Sequence, residues 1–252
     1  MESKNIWTSF KNEIGYTTAS IQYVELSRRL ADDVCGSELS GGRIQDLAKK
    51  YKLSVSEIPE DFGTRIAKNY IVQIHSCVMH FLNDFQHLIG SPTYGLKYNR
   101  EKDNLLHWTM QHTLGTQSSS ETYDVLYKIC DYYRFARNEI IHSGQAQSGL
   151  RTAFSALSDF RDAKLHAPNS IDSICFDDQV LYARSARALL EAIYFNSQYD
   201  WQVIINHDKT EIKRITSGCS HEADKSTKKV YSYLRQTYPI PKEGIPNLIE
   251  LI

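Results

Sequence analysis

Apolar residues recur at three- and four-residue steps along most of the chain, a spacing that gathers them on one side of an α-helix. Ile6, Phe10, Ile14, Ile21, Val24 and Leu26 form a broken stripe that predicts one long helix over the first thirty residues, ended at Cys35-Gly36. Ser37 to Gly42 has the composition of a loop, and Arg43 to Leu53 reads as a short helix with Ile44, Leu47 and Ala48 on its apolar side. Leu53 to Pro59 reads as a linker or a short strand. Asp61 to Leu88 carries two adjoining stripes, one through Ile66, Tyr70, Ile74, Cys77, Phe81 and Leu88, the other through Ile71, Val78, Leu82 and Phe85. A helix apolar over that much of its circumference belongs in the middle of a bundle. Gly90-Ser91-Pro92 stops it.

Further helices are predicted over Lys102–Leu114, Glu121–His142, Gly149–Leu165, Asp177–Asn196 and Glu222–Gln236, with a loop at Gly115–Ser120. Residues 201–216 fit either a small β-hairpin turning at His207-Asp208-Lys209 or a continued helix. The prolines at 239, 241 and 246 predict an extended tail. The fold class is therefore all-α, a helical bundle. The expected organisation is an N-terminal helical region over 1–58 packing on the bundle, a helical domain over 59–200, and a mixed or helical extension over 201–252.

Composition narrows this picture without changing it. The 252 residues are 41% hydrophobic and 23% charged, as in an ordinary globular chain with a sizeable core. A formal net charge of -1 gives no general attraction to nucleic acid, although a local basic cleft can exist on a neutral protein. The five cysteines (Cys35, Cys77, Cys130, Cys175 and Cys219) are scattered and odd in number, with no C-x-x-C pair, so neither a disulfide framework nor a zinc site is expected. The N-terminus lacks the apolar run of a signal peptide, and no stretch has the length of a bilayer span, so the expected compartment is a reducing cytoplasm with no membrane partner. Sixteen tyrosines serve either core packing or base stacking.

The chemistry concentrates at the end of the 121–142 helix, in Arg134-Phe135-Ala136-Arg137-Asn138-Glu139-Ile140-Ile141-His142-Ser143-Gly144. At about 100° per residue from Leu126, the core stripe of Ile129, Tyr133, Ala136 and Ile140 spans about 80° on one side, and Arg137 falls about 20° to the other. Asn138 and His142 lie near 120° and 160° and share a face. A guanidinium at the border of the apolar surface must be paired, by a carboxylate such as Asp84 or Asp131, or must reach a wet cleft. His142 sits in the last turn, where it either caps carbonyls or moves protons.

Arg137-Asn138-x-x-x-His142 resembles the R-x(4–6)-H signature of the HEPN superfamily, near the end of a long helix and after a second long, largely apolar helix. The motif covers six residues and the helical context roughly residues 60 to 200. The resemblance implies a HEPN-type bundle and a metal-independent endoribonuclease without cofactor, serving antiviral defence, abortive infection or a toxin–antitoxin pair. It implies a homodimer through the motif helix, an RNA substrate, and an antitoxin or defence-system partner. The catalytic residues would be Arg137 on the phosphate, His142 as general acid or base, and Asn138 orienting the histidine or binding a phosphate oxygen. Arg134 and Ser143 would extend the site, or serve as a surface arginine and a helix-end cap. Asn83, Asp84 and His87 on the upstream helix are the candidates for a supporting polar cluster. Other members of the superfamily are inactive, so a non-catalytic dimer binding a nucleotide or a partner protein is the alternative.

The remaining candidates carry less. His75, His80 and His87, and the pair His107 and His112, lack the i, i+4 spacing of a metal pair. No phosphate-binding glycine loop or Gly-x-Ser-x-Gly elbow is present. Lys209, Lys213, Arg214, Lys225, Lys228 and Lys229 make the C-terminal quarter the most basic region, either a solvated face or a guide for RNA.

Overall fold

The three- and four-residue spacing is realised as α-helix in the computed structural model, which describes residues 6–35, 42–54, 61–89, 104–142, 147–157, 166–196, 205–206, 208–217 and 223–237. Among these residues the helices are α1 (Ile6–Cys35), α2 (Gly42–Lys50), α3 (Phe62–Ile89), α4 (Leu105–Leu114), α5 (Glu121–His142), α6 (Gln147–Ser155), α7 (Phe176–Asn196), α8 (Lys209–Ser217) and α9 (Ala223–Thr237). The described residues contain no strand, and the protein is all-α. No helix among them is long and apolar enough to cross a membrane.

Two sequence expectations are corrected. The hairpin alternative is overturned for residues 209–217, which are helix: Ile212 is buried, and Glu211 pairs with Arg214 three residues on, both of which suit a 3.6-residue period. The loop expected after α4 is a short 3-10 helix, Gly115–Ser119. Helix α4 itself starts at its cap, where Asn104 Oδ1 accepts the Leu106 amide at 3.0 Å. It ends at Gly115, whose φ of 53° suits a residue without a Cβ. The loop at 37–41, Ser143, Gly144 and the proline-bearing tail lie outside the described residues.

Contacts divide the chain into two units, and α1, α3, α5 and α7 each give a segment to both. The first comprises Met1–Asn12, Cys77–Tyr127 and Ala186–Ile252. Its core is aromatic. The Trp7 ring stacks on Tyr194 at 5.7 Å and meets Phe10 at 5.4 Å, and Phe81 stacks on Phe85 at 5.4 Å. Such pairs contribute about 0.5–1.5 kcal/mol each beyond the area they bury. Tyr233 of α9 donates to Asp208 Oδ2 at 3.2 Å, fastening α9 to the residue that precedes α8.

The second unit comprises Glu13–Ser76 and Lys128–Ser185. Ile14, Ile21, Ile71, Ile74, Ile129 and Leu181 are buried in it, together with Tyr132, Tyr133 and Tyr182. These three tyrosines serve the packing role open to them from sequence. Asp178, in the first turn of α7 and fully buried, accepts four hydrogen bonds, from the Tyr133 hydroxyl, the Asn169 amide, Asn169 Nδ2 and the Cys175 amide, at 2.8–2.9 Å. One carboxylate thereby joins α5, α7 and the 166–175 segment.

Candidate functional site

The motif residues lie in the C-terminal half of α5, within the second unit. The helix is fixed there by Ile129, Cys130, Tyr132, Tyr133 and Ala136, all buried. Burial pushes the Cys130 thiol far above its ordinary range, so it is an inert core group. Tyr133 donates to Asp178 and stacks on Tyr182 at 4.8 Å between ring centroids. That stack sets the rotation of α5 and with it the direction of Arg137 one turn later.

Arg137 and Asn138 are brought together. Arg137 is half-buried, and its Nη1 donates to Asn138 Oδ1 at 3.0 Å. Its Nε is buried and has no hydrogen-bond partner. Asp131, one of the carboxylates considered for Arg137, instead accepts from Arg134 Nε at 2.8 Å. The Arg134 guanidinium lies over the Phe135 ring, 3.9 Å from its centroid. Gly149, in the first turn of α6, is the residue that lets this ring sit where it does: a Cβ there would come within 2.8 Å of Phe135 Cζ.

His142 stands on the exposed end of α5, and among the described residues no hydrogen bond or ion pair links it to Arg137 or Asn138. Five residues at about 100° each leave it about 140° from Arg137 around the helix. Asn83 is half-buried and Asp84 exposed on the part of α3 that belongs to the first unit.

A buried polar residue of α3 that shares the second unit with Arg137 is His75, which the sequence offered only as a poor metal ligand. It is buried, and its Nδ1 is hydrogen-bonded to the Tyr182 hydroxyl at 2.8 Å. Burial, then the charges of Arg137 and Arg134, lower its pKa to about 4, so the ring is neutral at pH 7. No local signal marks this role, because it depends on Tyr182, 107 residues away in the chain.

A cleft of about 490 Å³ opens along the same stretch of α5. Glu139 and Ile140 line it from α5, Lys68 from α3, Arg151 and the exposed ring of Phe154 from α6. Its volume falls in the range of small-ligand sites, and beside the exposed ring its two cations share the lining with the carboxylates of Glu139 and Asp172. Among the described residues no three His, Cys, Asp or Glu side chains gather to hold a metal ion. No family model matches the chain, and neither does any curated protein or solved structure.

Proposed function

We propose that the chain is a metal-independent endoribonuclease of the HEPN type, acting as a defence or toxin effector. The observation that carries this reading is Arg137, a half-buried guanidinium with a buried, unpartnered Nε and an asparagine on its other side. An uncompensated cation in that position is costly unless an anion completes it, and a phosphodiester is the anion this motif would meet.

In the proposed reaction an RNA 2′-hydroxyl attacks the adjacent phosphorus and the 5′-oxygen leaves, giving a 2′,3′-cyclic phosphate and a 5′-hydroxyl. One His142 takes the 2′ proton and a second supplies the proton to the departing oxygen. Arg137 binds the phosphate and stabilises charge in the transition state, with Asn138 holding the guanidinium in place. The nucleophile belongs to the substrate, so DNA is not cut. The separation of Arg137 from His142 on one helix is met by pairing two copies about a two-fold axis at the end of α5, where Ile141 is exposed. The cleft beside Glu139 would hold a neighbouring nucleotide.

The test is incubation of the wild-type chain, Arg137→Ala and His142→Ala with RNA in EDTA, reading cleavage and cyclic-phosphate ends. Wild-type cleavage lost in both variants is expected. RNA binding without cleavage by the wild type would replace the enzyme with a non-catalytic nucleotide-binding dimer, and cleavage surviving His142→Ala would remove His142 from the site.

A further inference from the structure

Helix α1 carries apolar residues on two opposite faces. The inner face, Trp7, Phe10, Ile14 and Ile21 with Thr17, is buried. The outer face is not: Tyr16 and Tyr23 are 78% and 71% exposed, and Leu26 and Leu30 53% each. At about 100° per residue, Tyr16, Ala19, Tyr23, Leu26 and Leu30 fall within about 80° of one another, centred about 180° from the inner face. Their spacing of three and four is the a/d pattern of a coiled-coil seam, with Tyr16, Tyr23 and Leu30 at a and Ala19, Leu26 and Asp33 at d.

We propose that this outer seam of α1 pairs antiparallel with the same seam of a second copy of the chain. Three features select a copy of itself as the occupant. First, an antiparallel register sets each a position against a d position, and here it is self-complementary in size: Ala19 faces Leu30, Tyr23 faces Leu26, and the Tyr16 hydroxyl reaches Asp33. Second, the seam between Tyr16 and Leu30 bears no charge, and beside it Glu25 pairs with both Arg28 and Arg29 within one copy at 2.8–3.0 Å, leaving a single net positive charge off the seam. Third, the four large side chains expose on the order of 500 Å² per copy, so a pair buries roughly 1,000 Å², the size at which specific interfaces begin. This contact is separate from the pairing at the end of α5 and stands whether or not the chain cuts RNA.

Sedimentation equilibrium on the full chain tests it. Tyr23→Lys is expected to halve the assembly mass relative to wild type at equal concentration, with helix content unchanged, because this side chain faces solvent in the single copy. Tyr23→Glu and Leu26→Lys should each do the same alone, and an equimolar mixture of the two should regain the wild-type mass, since the register sets position 23 against position 26. A wild-type chain at single-copy mass, an unchanged mass in Tyr23→Lys, or no recovery in the mixture overturns the proposal. Loss of mass in Ile141→Lys but not in Tyr23→Lys overturns it too, while leaving the α5 pairing intact.

Discussion

His75 and Tyr182 are hydrogen-bonded at 2.8 Å between Nδ1 and the phenol oxygen, inside the unit that holds both arginines of the motif helix. The ring is neutral in the folded chain because burial and the nearby guanidiniums disfavour a further positive charge. Its pKa is about 4 folded and about 6.5 unfolded, so the unfolded chain binds more protons between these values. The stability it supports is therefore complete above pH 6.5 and lost as pH falls toward 4. About 3 kcal/mol is expected to disappear across that window by urea unfolding, and the slope should flatten in His75→Gln. Glu25 adds its own loss at lower pH, because Arg28 and then Arg29 hold its carboxyl below the ordinary value.

Asp178 is the acceptor for four donors on two other segments, so its replacement is expected to be among the most damaging single changes in the second unit. Asp178→Asn keeps the shape but sets an NH₂ against donors, and a loss of about 2–4 kcal/mol is expected by chemical denaturation. Asp178→Ala should cost at least as much and raise hydrogen exchange at Asn169 and Cys175.

Arg137 separates function from stability. The proposed role predicts that Arg137→Met abolishes RNA cleavage while leaving unfolding free energy within about 1 kcal/mol of wild type, or raising it, because a half-buried cation with an unpartnered Nε is replaced by an apolar chain of similar length. A variant that loses more than about 2 kcal/mol would show that the guanidinium is a structural element instead.

Gly149→Ala tests how firmly α6 is seated on α5. Alanine favours helix over glycine by about 1 kcal/mol, yet its Cβ would press on the Phe135 ring under Arg134. The clash is expected to dominate, with a net loss of about 1–2 kcal/mol in thermal unfolding and, in the active chain, a weaker KM for RNA as Arg134 shifts.

Much of the architecture was legible because long helices repeat their signal many times. The Glu121–His142 helix was read to the residue, since an acidic first turn, a continuous stripe and a following glycine all agree on its limits. Residues 201–216 were ambiguous because a nine-residue helix with two isoleucines gives too few repeats to separate periods of 2 and 3.6. Leu26 was assigned to the buried stripe of α1 and faces outward, because that helix is apolar on both sides and a list of apolar positions does not tell the sides apart. The Arg137–Asn138 hydrogen bond was not legible, because about 100° separates the two around the helix and Asn138 falls on the face of His142. Nor was the neutral His75, since burial and two distant arginines create it.

The two-faced character of α1 has a consequence for how the chain reaches its fold. Rotated by half a turn, the helix would present Tyr16, Tyr23, Leu26 and Leu30 inward and still bury apolar surface, so apolar content over residues 16–30 does not by itself choose the rotation. The tie is broken at the N-terminal end, where the Trp7 and Phe10 rings enter an aromatic cluster with Phe81 and Tyr194 and the outer face offers only Ser9 and Asn12. The first turns of α1 thus act as the key that sets the helix's rotation, and removing the Trp7 ring would cost the chain a unique docked state before it cost any helix.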